Sequence, residues 1–84
     1  MSHPIPQEPA PLQGPGPTLR LTVNGESRTF PAPLTCAGLV DALSLAGRRI
    51  ALERNGEIVP RSRLAHTPLA DADTIEIVVA VGGG

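Results

Sequence analysis

Two Asn-Gly dipeptides, Asn24-Gly25 and Asn55-Gly56, constrain this chain more than any other feature. A two-residue type I′ hairpin turn needs positive φ at both central positions, and asparagine followed by glycine meets that need at least steric cost. Each pair stands between strand-like segments. Ahead of the first, TLRLTVN puts Leu19, Leu21 and Val23 on one face and Thr18, Arg20 and Thr22 on the other, the alternation of a half-buried strand. ESRTF returns from the turn and ends at Phe30, the single aromatic residue. Ahead of the second, Ile50 and Leu52 mark a strand, answered by the short Glu57-Ile58-Val59. Pro60 stops that strand or confines it to a sheet edge. NGE occurs at both turns, but its flanks differ. The chain uses one turn chemistry twice rather than repeating a unit.

Between the hairpins, PAP breaks the strand pattern and Thr35 is placed to cap a helix N-terminus through its hydroxyl. Cys36, Leu39, Val40 and Leu43 then follow the i, i+3, i+4, i+7 spacing of one helix face. Gly38 weakens that helix by about 1 kcal/mol relative to alanine, so packing must support it. Gly47 suits the left-handed position that ends it. RSRLAHTPLADAD predicts a loop with a short helical turn, pinned to the core by Leu64 and Leu69. A final strand, TIEIVVAV, points Ile75, Ile77 and Val79 inward and Val78 and Ala80 outward. One helix for the whole sheet predicts an α+β layer pair with the second sheet face wet.

The 84 residues give room for one small domain. Residues 1–17, MSHPIPQEPAPLQGPGP, hold much of the proline and no apolar periodicity, and read as a disordered, partly polyproline-like arm. The folded domain is expected over residues 18–81, and a glycine tail over 82–84. The arm has neither the basic region nor the apolar run of a secretory signal, and no stretch approaches a membrane span. A cytoplasmic protein is expected. Cys36 is the single cysteine, which leaves no internal disulfide and no multi-cysteine metal site. All seven basic residues are arginine against eight carboxylates. With no Trp or Tyr, no lysine and one Phe, both the stacking platforms and the basic groove of a nucleic-acid binder are missing.

No catalytic constellation assembles from the sequence. Ser27, Ser44 and Ser62 lack a nucleophile motif, Cys36 falls on the packing face of the helix, and His3 and His66 lie far apart. Glu53/Glu57 and Asp71/Asp73 flank turns and read as solvated residues. What remains is the run VVAVGGG. A main-chain carboxylate at the tip of a side-chain-free tail enters channels too narrow for any Cβ. As a carboxylate it repels nucleophiles; as an acyl-adenylate it has lost that charge and gained a leaving group. Sulfur attack then gives a thiocarboxylate.

On these pieces the chain resembles the small sulfur carriers of thiamine biosynthesis, within the ubiquitin-like β-grasp superfamily. The matching segments are LTVNGE, ALERNGEIVPRSR from Ala51 to Arg63, LADADTIEIV from Leu69 to Val78, and Gly83-Gly84. The resemblance implies a mixed sheet of four to five strands with one main helix on one face. The first and last strands would then be parallel neighbours in its middle. It implies no enzyme activity of the chain's own, no bound cofactor and no metal. Gly84 would be adenylated by an E1-like adenylyltransferase using ATP and converted to a thiocarboxylate with sulfur from a donor such as a cysteine desulfurase. It would then supply thiazole synthase, with Gly82 and Gly83 as the slim stalk. Arg20, Val78 and Ala80 are the candidate partner contacts, with Arg28 and Glu76 as further rim residues. Arg54 stands where relatives often carry an apolar residue, which implies a more exposed strand edge. The alternatives are the small subunit of molybdopterin synthase, which shares fold and terminal diglycine, a ubiquitin-like modifier conjugated through Gly84, and a binding module whose glycines are idle.

Overall fold

The computed structural model describes residues 16–81. Strands β1 (Thr18–Val23) and β2 (Glu26–Pro31) form the first hairpin, and β3 (Ile50–Arg54) and β4 (Glu57–Val59) the second. Helix α1 (Cys36–Ala42) lies between them, and strand β5 (Thr74–Val79) follows a 3₁₀ segment at Arg61–His66. The sheet order is β2-β1-β5-β3-β4. β5 is central, parallel to β1 with Val23 beside Ile75, and antiparallel to β3 from Ile50 beside Val79 to Arg54 beside Ile75. This is the order that the resemblance implied and that spacing alone left open.

Both turns take the backbone that Asn-Gly favours. Asn24 and Gly25 have φ of 49° and 85°, and Asn55 and Gly56 have 51° and 87°. Strand alternation then places Leu19, Leu21, Val23, Leu52, Ile75 and Ile77 on one face, where they meet Cys36, Leu39 and Val40 of α1 and Leu69 of the loop. Leu21, Leu39 and Ile75 are fully buried. Phe30, Leu64 and Val79 are half-buried at the margin. The opposite sheet face carries Arg20, Glu76 and Val78 into solvent.

Thr35 caps α1 as its sequence position predicts, its Oγ1 accepting from the Gly38 N–H at 3.0 Å. Gly38 has a reason beyond permissiveness. A Cβ there would lie 3.0 Å from Leu34 Cδ1 and 3.4 Å from the capping oxygen. The bare position lets the chain before the helix fold back over its first turn. Leu34 and Cys36 are then tied to the later loop, with Cys36 N–H donating to Thr67 O and Leu69 N–H to Leu34 O.

The helix ends before the residue expected to end it. Ser44, at φ 63°, is the left-handed residue after the C-cap. Its N–H donates to Asp41 O, and Leu45 N–H reaches back to Val40 O, the paired bonds that close a helix in a Schellman motif. Gly47, also left-handed at φ 83°, belongs to the following turn. The sequence signal pointed to the glycine because serine takes this conformation at a steric cost. A second boundary shifts at the start of the domain: Pro17 O accepts from Ala32 N–H, so the ordered chain begins before Thr18. The arm as far as residue 15 and the glycines Gly82, Gly83 and Gly84 lie outside the described residues.

Replacing Ser44 by glycine keeps both closing bonds and relieves the left-handed backbone. The expected result is a gain of about 0.5–1 kcal/mol in urea unfolding, with the circular-dichroism spectrum unchanged.

Candidate functional site

The part of the fold that could carry chemistry is the end of β5, because the chain runs from there into the glycines. β5 is held on both sides by the two turn asparagines. Asn24 extends the ladder beyond the last residue of β1: its Oδ1 accepts from Ile77 N–H at 2.7 Å, and its Nδ2 donates to Ile77 O at 3.1 Å. Its own backbone N–H donates to Ile75 O. Asn55 works at the other end of the strand. Its backbone N–H donates to Thr74 O at 2.7 Å and its Oδ1 accepts from Thr74 N–H at 2.9 Å. One turn residue thus forms a backbone-like pair on each flank of the central strand.

Asp73, just before β5, completes the anchor. Its buried carboxylate accepts from Arg54 Nε at 2.8 Å, Ala70 N–H at 2.8 Å and Asn55 Nδ2 at 3.0 Å. Burial alone would raise its pKa. Bonds from Asn55, Ala70 and Arg54, with the Arg54 charge, outweigh that and hold it below the ordinary 3.8. Its main-chain oxygen accepts from Thr22 N–H. Asp73 read in sequence as a solvated turn residue; it is instead the one buried charged group among the described residues. Arg54, expected at an exposed edge, lies in β3 with β4 outside it, and its side chain is 33 % exposed while it pairs with Asp73. The spacing of Arg54, Asn55 and Asp73 shows no motif, so only the fold brings them together.

At the other end, Ala80 N–H donates to Arg49 O at 2.9 Å, the last described bond before the chain leaves the sheet. Val78 is 65 % and Val81 83 % exposed. Val78 projects beside Ala51 from the wet face, and Ala80 is exposed next to it. Arg20 is on that face but not in that place. The parallel register sets it level with residue 72, about 20 Å along the strands from Val78 at 3.3 Å per residue. Its N–H and carbonyl hold the Asp71–Ala72 turn. Arg28 is exposed on edge strand β2, and Glu76 stands directly opposite Glu53. Sequence reasoning named Val78 and missed Val81, whose exposure follows from its place just beyond the strand end.

Cys36 is fully buried. Burial pushes its thiol pKa up, an effect that Arg54 opposes and Asp73 reinforces, so the reactive thiolate is disfavoured. Among the described residues, no three His, Cys, Asp or Glu side chains gather into a metal-sized cluster, and no helix is long and apolar enough to cross a membrane. The family model of the ThiS family matches residues 21–84.

This chain belongs to the ThiS family.

Its relatives include a ThiS sulfur carrier protein from Bacillus subtilis, 40 % identical over 50 residues, which cover 60 % of this chain and 76 % of that one. The crystal structure of the thiamine biosynthesis protein ThiS from Geobacter metallireducens superposes with a TM-score of 0.67 at 33 % identity. That match covers 79 % of this chain and all of the other. A thiazole synthase from Paramagnetospirillum magneticum is 44 % identical over 66 residues. Those residues are 79 % of this chain but 20 % of the synthase, so the chain spans about a fifth of that relative's length. ThiS-family sequence is thus found within thiazole synthase chains as well as in small proteins.

Two outcomes test the anchoring of β5. Asn24→Gly keeps the left-handed turn and removes only the two bonds to Ile77, and should cost about 1–2 kcal/mol of stability in chemical denaturation. For Asp73, a depressed folded-state pKa means that its contribution is complete above the ordinary carboxylate value and is lost as pH falls through the folded value. The stability advantage of the native protein over Asp73→Asn should therefore be constant near neutrality and shrink below about pH 4, read by melting temperature across pH.

Proposed function

We propose that this chain is the sulfur carrier for the thiazole moiety of thiamine, with the Gly84 carboxylate as its reactive group. The observation that carries this reading is that the ThiS-family match runs through Gly84 itself, on a chain whose central strand ends at Val79, shortly before the glycines in sequence. The body supplies a rigid mount, and Gly82 and Gly83 form the stalk that enters a partner's active site.

The chemistry belongs to the partners. In the active site of an E1-like adenylyltransferase, a Gly84 carboxylate oxygen attacks the α-phosphorus of ATP, and pyrophosphate leaves. The terminal sulfur of a persulfide carried by a donor such as a cysteine desulfurase adds to the carbonyl carbon and gives an acyl disulfide, whose S–S bond a thiol reductant then cleaves, itself ending as a disulfide. AMP departs as the C–S bond forms, and the thiocarboxylate remains once the S–S bond is cleaved. Thiazole synthase then takes the sulfur, and the tail returns as a carboxylate. The chain is a protein co-substrate in this scheme and not an enzyme. ATP is bound by the activating partner, not here. A ThiS-like segment inside thiazole synthases supports that enzyme as the acceptor, and the ThiS-family match favours this pathway over the molybdopterin one.

Incubation with the adenylyltransferase, ATP and a sulfur donor should convert the intact protein to a species with one oxygen replaced by sulfur, seen by mass spectrometry. Fragment ions should place the change at Gly84. An unchanged mass, under conditions that load an established carrier, would refute the proposal. An alanine appended after Gly84 should abolish sulfur loading.

A further inference from the structure

Arginines gather where the chain leaves the sheet. Arg48 and Arg49 immediately precede β3, whose first residue, Ile50, lies beside Val79 at the end of β5. Arg49 O receives the Ala80 N–H. β4 runs up the sheet alongside β3 and delivers Arg61, at the start of the 3₁₀ segment, to the same end. Arg48 and Arg61 line one hollow of about 200 Å³, floored by Val40, Leu45, Ile50 and Leu64. All three arginines are exposed. Among the described residues, the one ion pair is Arg54–Asp73, so none of the three is matched by a carboxylate of its own fold. Glu57 and Asp71 lie toward the opposite end of β5, level with its first residues. At the opposite end the carboxylates stand among Arg20, Arg28 and Arg54, whereas among the described residues the end where the tail departs carries unpaired cations.

Such a cluster has a cost in isolation. Arg48 and Arg61 face one hollow with Arg49 next in the chain, three like charges at one end of the sheet, and among the described residues none of them has an ion-pair partner. A complementary surface would relieve the repulsion among them, and attraction of the local cationic cluster would favour approach with this end first. We infer that Arg48, Arg49 and Arg61 form a docking collar for a carboxylate-rich rim around the opening through which thiazole synthase admits the glycine tail. The inference rests on the carrier reading proposed above. It adds a surface, the charge of its partner and a role in orienting the encounter. Arg49 adjoins Ala80 through their main-chain bond, with Val78 and Val81 exposed nearby. Arg48 and Arg61 stand on the helix side of the same strand end. The cations would thus border the tail exit from both faces of the sheet, a steering role around a packing contact.

The test is association of purified thiazole synthase with the full-length chain, followed by stopped flow at several salt concentrations. Arg48→Glu, Arg49→Glu and Arg61→Glu are compared with Arg28→Glu, which makes the same charge change on edge strand β2. Each collar variant should slow association by about tenfold at low salt, and Arg28→Glu by less than about twofold. The gap should narrow as salt rises and screening shortens. Arg48→Lys should keep most of the native rate. Circular dichroism and melting temperature establish that each variant is folded, and Arg48→Gln, Arg49→Gln and Arg61→Gln give the same comparison without introducing a carboxylate. Equal slowing by Arg28→Glu would show a net-charge effect and overturn the collar. So would native rates in all collar variants, while sulfur delivery by the unaltered protein left the carrier reading standing. Absence of both synthase binding and sulfur delivery by the unaltered protein would defeat the carrier reading, and the collar with it.

Discussion

The placement of β5 governs the rest of the structure. It is the last strand in sequence and the middle one in space, so its position is fixed by residues that come well before it. Hydrogen bonding to β1 stops short of where β5 ends, and the side chain of Asn24 makes the missing pair with Ile77. On the other flank, Asn55 and Asp73 set where the strand begins. The apolar residues Leu21, Leu52, Ile75 and Ile77 then pack under α1 without a register choice, since a slip of one residue would turn every one of them toward water.

Much of this is legible in the sequence alone. Alternation in β1 and β5, the helix face from Cys36 to Val40 and the Thr35 cap are local patterns, and local patterns survive in sequence. Turn glycines and asparagines were legible as turns. What the side chains of Asn24 and Asn55 do was not, because their partners are 53 and 19 residues away. Asp73 misled for the same reason. An aspartate amid Asp71, Ala72 and Thr74 has the local look of a solvated turn, and its burial depends on Arg54 and Asn55 arriving from another hairpin. Ser44 is a different kind of miss, a residue accepting a backbone that the nearby Gly47 would have taken more readily.

The candidate site divides in a similar way. The glycine run and outward-facing Val78 follow from composition and strand parity. The grouping of Arg48, Arg49 and Arg61 follows from the sheet order, with β3 starting and β4 finishing at the end where β5 stops. Arg20, chosen by parity alone, shares the face but not the level, which shows what alternation can and cannot supply. It gives the side of a sheet and says nothing of position along it.

The complete burial of Cys36 bears on the carrier's own chemistry. A carbonyl activated at Gly84, as proposed above, would be exposed first of all to the nucleophiles of its own chain. Here the sequence has no lysine, and its only sulfhydryl is sealed on the buried face of the helix. Under that proposal, the chain would offer its acyl group no side-chain amine and no open thiol for wasteful self-acylation. That leaves the acyl group for an incoming sulfur supplied from outside.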